Sequence, residues 1–241
     1  MRAEGGPRRG LRRGDEVRGI VGRPGQLTRQ LIQPGRTRTV RAYRTSRRFH
    51  PLSYRRDWTG RVRPSRGELT PAPLPRQPAP PLDLPLVGGG RFDLAAATPD
   101  QFTLVVAYRG VHCPQCRKQL SELDGRLGEL RDVGVDEVVA VSGDDQERAQ
   151  RAVREWELKD LRVAYGMDEA TMRAWGLYVS TGLTDSEPAL FGEPGLFLVR
   201  PDASLYSAHL QSMPFARPRL DDLLKALAFV REKDYPARGE T

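Results

Sequence analysis

The chain contains two cysteines, Cys113 and Cys116, three positions apart. If Pro114 opens a helix, Cys113 is its cap and Cys116 lies in its first turn. A thiolate at the cap faces backbone N–H groups that lack intrahelical partners and the positive end of the helix dipole. Both favour the anion and lower the thiol pKa. Cys116 is then close enough to attack an oxidised sulfur on Cys113 and close an intramolecular disulfide. Arg109 and His112, just upstream, are candidates for added positive charge and a proton relay. The pair reads as a thiol redox centre; the alternative is two ordinary cysteines buried as small apolar side chains.

Other chemistries find little support. Two thiols cannot form a four-thiolate zinc site, and His50, His112 and His209 do not have the spacing of a Cys2His2 site, so no metal is expected. There is no nucleophile elbow, metalloprotease motif or phosphate-binding glycine loop, and no cofactor is expected. Gly88–Gly90 precede a strand-like segment and read as a turn.

The elements that must position the pair follow from periodicity. Gln101–Tyr108 is a continuous apolar run rich in β-branched residues, the pattern of a strand covered on both faces. From Pro114, Leu120, Leu123, Leu127 and Leu130 recur at helical intervals and predict one helix. Val135–Ser142 is the next buried strand, and Asp144 or Asp145 caps a helix with the stripe Ala149, Ala152, Val153 and Trp156. A short extended segment at Leu161–Tyr165 precedes a short helix around Asp168–Trp175, and 176–193 reads as a loop. Gly195–Arg200 and Ser204–Gln211 are strands joined at Pro201-Asp202, and Pro218 fits the first turn of a final helix. Upstream, Leu86–Leu94 forms a small hairpin. The order predicts a compact α/β domain from 82 to 235, followed by a C-terminal tail at 236–241.

Charge divides the chain. Residues 1–80 hold 20 Arg, no Lys and five acidic residues, a formal +15; the whole-chain value of +8 therefore leaves −7 on 81–241. Isolated apolar groups among the arginines, then a proline-rich run at Leu69–Pro81, predict a disordered basic extension and linker over 1–81. Such a tract attracts nucleic acid through phosphate charge without a recognition pattern. A GC-rich coding sequence with a start site assigned too far upstream accounts for the arginine bias equally well. No apolar core follows the basic start and no segment reaches the roughly 20 apolar residues of a membrane span, so no secretory leader and no membrane are expected. The default compartment is the reducing cytoplasm, where a close cysteine pair is more often catalytic than structural.

Four segments together resemble one family: VVAYRGVHCPQCRKQLSEL (105–123), PLVGGGRFDLA (85–95), PGLFLVRPDASL (194–205) and QSMPFARP (211–218). They are similar to the peroxiredoxin-like branch of the alkyl hydroperoxide reductase/thiol-specific antioxidant (AhpC/TSA) proteins, in the thioredoxin-fold superfamily. The resemblance covers about 82–235. It implies a thioredoxin-like α/β fold with a central mixed sheet flanked by helices. It also implies Cys113 as peroxidatic sulfur, Cys116 as resolving thiol, and a cellular dithiol such as a thioredoxin as reductant.

Two positions depart from that family's pattern. Gly110 stands where it places a threonine three residues before the peroxidatic cysteine, and Pro194 where it places an arginine at the start of a later strand. Pro194 instead resembles the cis-proline of thioredoxins, which faces their cysteine pair. The resemblance implies a thiol peroxidase acting on hydrogen peroxide or organic hydroperoxides, while these two departures pull the mechanism toward disulfide exchange. The alternatives are a thioredoxin-like protein disulfide reductase and a redox-responsive protein binding nucleic acid through its arginine-rich N-terminus.

Overall fold

The computed structural model describes residues 72–241 and, before them, three strand segments. The chain divides into two units, Met1–Pro64 and Ser65–Thr241. In the first unit, β1 (Gly19–Val21), β2 (Leu27–Gln33) and β3 (Arg36–Thr39) pair antiparallel in the order β1-β2-β3. Elsewhere in 1–71, the expectation of disorder lies outside the described residues.

The second unit opens with a hairpin, β4 (Asp83–Pro85) and β5 (Arg91–Asp93), turned by Gly88, Gly89 and Gly90, all at positive φ. A 3-10 turn at Leu94–Ala96 leads to β6 (Phe102–Ala107). After β6 come α1 (Pro114–Asp124), α2 (Leu127–Asp132), β7 (Val135–Val141), α3 (Gln146–Glu155) and β8 (Arg162–Ala164). Next are α4 (Glu169–Ala174), β9 (Val179–Thr181), β10 (Leu190–Gly192), β11 (Gly195–Val199), β12 (Leu205–Leu210) and α5 (Leu220–Lys233). The main sheet is mixed, in the order β12-β11-β6-β7-β8. β6, β7 and β8 run parallel, while β11 is antiparallel to both β6 and β12.

All six residues of β6 are buried, as expected of a strand at the centre of a sheet covered on both faces. Alternation divides the core. Leu104, Val106, Leu196 and Leu198 face the side packed by α1, α3 and α5, through Leu120, Leu123, Ala152, Trp156, Leu223 and Leu227. Val105, Ala107, Phe197 and Val199 face the other side, covered by the β4-β5 hairpin and by Met172, Trp175 and Leu177. Burying Leu120 and Leu123 gives α1 roughly 2 kcal/mol each. A helix of 11 residues is marginal alone, so packing rather than propensity holds the element that carries both cysteines.

Several elements differ from the sequence expectation. The leucine stripe after Pro114 belongs to two helices, because the chain breaks at Gly125–Arg126. There the Asp124 carboxylate accepts the N–H groups of Lys159, Asp160 and Leu161, pinning the end of α1 to the start of β8. Both helices bury their leucines in the same core, so the period survives the break. Segment 176–193, read as a loop, contains the antiparallel pair β9–β10. Pro218 lies before the final helix, whose cap is Arg219.

The proline-rich run is docked from its middle onward. The Arg76 N–H donates to the Leu205 carbonyl at 2.7 Å, Leu205 N–H to Gln77 at 2.9 Å, and Ala79 N–H to Ala203 at 2.9 Å. These bonds cover the start of the free edge of β12, at Leu205, and the turn before it, and the Arg76 side chain reaches the carbonyl of buried Ala237 at 3.0 Å. The folded unit thus includes residues upstream of Leu82 and part of the 236–241 tail. Prolines lack N–H donors, but the residues between them supply the pairing an edge needs.

Candidate thiol redox site

β6 ends at the centre of the sheet and delivers the chain, through Arg109–His112, to the first turn of α1. The carboxyl ends of parallel strands are where α/β sheets place their sites. Cys113 has extended backbone, φ −100° and ψ 107°, and is the N-cap of α1, with Pro114 in the first turn. Its Sγ accepts the Cys116 N–H at 3.3 Å, as a capping oxygen would, and its own N–H donates to the Gly110 carbonyl at 3.1 Å. Both cysteines are free thiols, and both are buried, Cys113 at 1 % exposure and Cys116 at 0 %.

The two sulfurs are electrostatically unequal. The hydrogen bond from the Cys116 side chain lowers the Cys113 pKa most. Burial opposes it; the Cys116 N–H and the charges of Arg217 and Arg109 assist, and the value falls from 9.0 to about 6. Cys116 is pushed well above an ordinary thiol, first by burial and then by its neighbour's sulfur. The two shifts run in opposite directions and favour an anion on Cys113 over one on Cys116.

Arg217 completes the arrangement and was not singled out among the site residues from sequence. Its Nη2 donates to Cys116 Sγ at 3.2 Å and lies 3.8 Å from Cys113 Sγ. Nη1 donates to Gln119 on α1, and Nε to the Pro214 carbonyl at 2.9 Å. A planar fork with this many donors can hold a loop and a sulfur at once. Arg217 lies within the 211–218 segment that contributes to the family resemblance, yet it is 104 positions from Cys113, where no spacing rule reaches.

The other expected residues are placed differently. The Arg109 backbone N–H donates to Cys116 Sγ at 3.4 Å. Its guanidinium turns away, to Glu193 at 3.3 Å, Glu187 at 3.5 Å and the Phe191 ring at 4.6 Å. His112 packs its ring on Phe191 at 5.0 Å and sets Nδ1 3.5 Å from Arg148, and burial followed by the Arg109 charge holds it below its ordinary pKa. Its ring contact is with Phe191 and its Nδ1 faces Arg148, while Nε2 is buried without a hydrogen-bond partner among the described residues.

The expected cis bond before Pro194 is corrected: among the described residues no peptide is cis. β10 runs into β11 through Glu193-Pro194, whose N–H and C=O bond Tyr178 and Gln211, so the chain continues extended. Gly110 has φ +128°, and a Cβ there would lie 2.6 Å from Asp144 Oδ1; position 110 therefore cannot carry a threonine in this conformation. Among the described residues, no group of three or more His, Cys, Asp or Glu is placed to hold a metal ion, and no helix is long and apolar enough to cross a membrane.

Comparison with known proteins agrees with this architecture. Solved structures share the fold at low identity. The chain is similar to peroxidoxin BcpB from Mycobacterium tuberculosis, with TM-score 0.53 and 17 % identity over 67 % of this chain and 98 % of that one. It is also similar to a peroxiredoxin-like protein from Aquifex aeolicus, with TM-score 0.55 and 14 % identity over 67 % and 90 %. The reduced 2-Cys peroxiredoxin of Plasmodium vivax gives TM-score 0.55 and 13 % identity over 67 % and 83 %. No curated protein matches by sequence. The AhpC/TSA family profile matches residues 75–208, more than half of the chain and inclusive of both cysteines; the chain belongs to the AhpC/TSA family and carries thiol redox chemistry on a closely spaced cysteine pair.

Proposed function

We propose that the protein is a thiol peroxidase that reduces hydrogen peroxide or organic hydroperoxides through Cys113. The observation that carries this reading is the setting of Cys113: its Sγ caps α1 by accepting the Cys116 N–H at 3.3 Å, with Arg217 Nη2 3.8 Å away, in a residue only 1 % exposed, and these partners lower its pKa. Activation of this kind suits a nucleophile, and the enclosure favours a small oxidant over a folded protein substrate. The thiolate attacks the distal peroxide oxygen. The O–O bond breaks, the alkoxide or hydroxide leaves and takes up a proton, and Cys113 becomes a sulfenic acid. Cys116 then attacks that sulfur. Its proton and the sulfenic hydroxyl leave as water, and the Cys113–Cys116 disulfide is reduced by a cellular dithiol such as a thioredoxin. Arg217 is placed to stabilise the thiolate before the first step, and the backbone N–H of Arg109 supports Cys116. A reducing compartment such as the cytoplasm suits both free thiols.

The test is peroxide consumption by the reduced full-length protein with a dithiol, using hydrogen peroxide and cumene hydroperoxide. Cys113→Ser abolishes turnover. In the absence of the dithiol, Cys116→Ser consumes one equivalent of peroxide and stops, with a sulfenic acid that dimedone traps on Cys113. Undiminished turnover in Cys113→Ser would rule out the assigned nucleophile.

A second reading, a protein disulfide reductase, draws on Gly110, because no side-chain hydroxyl orients a peroxide from that position. It requires reduction of a protein disulfide such as insulin faster than free dithiol achieves, together with poor peroxide turnover. Nucleic-acid binding through the arginine-rich extension is a third reading. Its residues lie outside the described ones, apart from three strands, and salt-titrated binding that vanishes on deleting 1–71 is its test.

A further inference from the structure

Asp144 is a buried carboxylate, its side chain 0 % exposed, beside the loop that delivers Cys113. One oxygen accepts the Val111 N–H at 2.7 Å and the other the Arg148 Nε–H at 2.9 Å. Its backbone is fixed as well: the carbonyl accepts Gly166 N–H at 2.8 Å, and the N–H donates to Ser142 Oγ at 3.3 Å. Helix capping does not explain the residue, because Asp145 caps α3 by accepting the Arg148 N–H. Burying a carboxylate costs several kcal/mol unless it is paired, so its partners account for its presence.

Those partners lead to the nucleophile. Val111 and Gly110 are consecutive, the Gly110 carbonyl receives the Cys113 N–H at 3.1 Å, and the Asp144 carboxylate fills the space that a side chain on Gly110 would enter. We propose that Asp144 is the positioning residue of the redox centre, its hydrogen bond to Val111 holding Gly110–His112 in the conformation that presents Cys113 at the α1 N-cap. The inference rests on Cys113 as the reactive sulfur and is independent of which oxidant it meets. The groups facing Cys113 are Cys116, Arg217 and Arg109; those facing Asp144 are Arg148, His112 and Tyr108. Arg148 neutralises the carboxylate, which leaves the Val111 hydrogen bond as the acting feature.

The test reads alkylation of Cys113 by iodoacetamide against pH in reduced full-length protein, by mass spectrometry. Asp144→Asn keeps one oxygen for Val111 and stays within about twofold of wild type at pH 6. Asp144→Ala moves the midpoint up about one pH unit and slows the reaction about fivefold at pH 6. A wild-type profile in folded Asp144→Ala overturns the proposal, as does an Asp144→Asn protein that falls as far, since that makes the charge the cause. If circular dichroism shows Asp144→Ala unfolded, Gly110→Ala is read instead, because its Cβ displaces the carboxylate. The same slowing is expected there, and a wild-type profile overturns the proposal. A wild-type protein that alkylates at Cys113 yet consumes no peroxide removes the peroxidase reading alone.

Discussion

Arg217 Nη2 donates to Cys116 Sγ at 3.2 Å from 101 positions further along the chain, and so ties the segment before α5 to the first turn of α1. The same atom is 3.8 Å from Cys113 Sγ, so one cation serves both sulfurs. An opposite charge at this range lowers a pKa by about 1–3 units. Arg217→Met should raise the Cys113 midpoint by about one unit, and Arg217→Lys should fall between, keeping charge without the fork. Thiolate absorbance near 240 nm, followed against pH, checks both.

Stability should follow the same titration. The folded Cys113 value, about 6, lies below the ordinary 9.0. The unfolded state therefore binds the extra proton between those values, and stability rises with pH across the window. The contribution is fully present above pH 9 and is lost as pH falls through 6. Denaturant melts of the reduced protein at pH 5, 7 and 8.5, each referred to Cys113→Ser, should show the difference growing with pH. A difference that does not change with pH would exclude a folded-state thiolate.

The cysteine cap was legible because its signals are local. Pro114 opens the helix, Leu120 and Leu123 mark the buried face, and the apolar run ending at Tyr108 sets the strand that feeds it. Asp145 and Asp168 cap α3 and α4 through the same near-neighbour chemistry. The β9–β10 pair was not legible: each strand has three residues, neither alternates cleanly, and the pairing spans a loop without a two-residue turn signal. Arg217 and Asp144 were not assigned site roles because their partners are brought to them by the fold. Gly110 was conspicuous in sequence, but its reason is a carboxylate 34 positions away that no local rule connects to it.

Residues 76–79 should be required for full stability. Three backbone hydrogen bonds join them to Ala203–Leu205 at the β12 edge, each contributing about 0.5–1.5 kcal/mol. A chain beginning at residue 82 should be less stable than one beginning at 72 by about 1.5–4 kcal/mol in urea melts. It should also aggregate more readily, because the bare edge is free to pair with another chain. Equal midpoints and equal solubility would show that the edge needs no cover.

The two arginines near the cysteines should fail in opposite ways. Arg109 lies between Glu193, whose side chain is 5 % exposed, and Glu187 at 15 %, and Ser180 Oγ donates to the other Glu193 oxygen at 2.7 Å. Removing the guanidinium leaves a buried carboxylate unpaired, a change that costs about 3–5 kcal/mol. Its contact with the sulfurs is the backbone N–H, which Arg109→Met retains, and its charge ranks behind that of Arg217 among the causes lowering the Cys113 pKa. Arg109→Met should therefore lower the melting temperature substantially while moving the Cys113 midpoint less than Arg217→Met does. Arg217→Met should show the reverse, since among the described residues its guanidinium bonds two sulfurs, Gln119 and a carbonyl but no carboxylate. Thermal melts beside thiolate titrations of the two variants decide the matter. A larger midpoint shift in Arg109→Met would return that residue to the role its position before the cysteines first suggested.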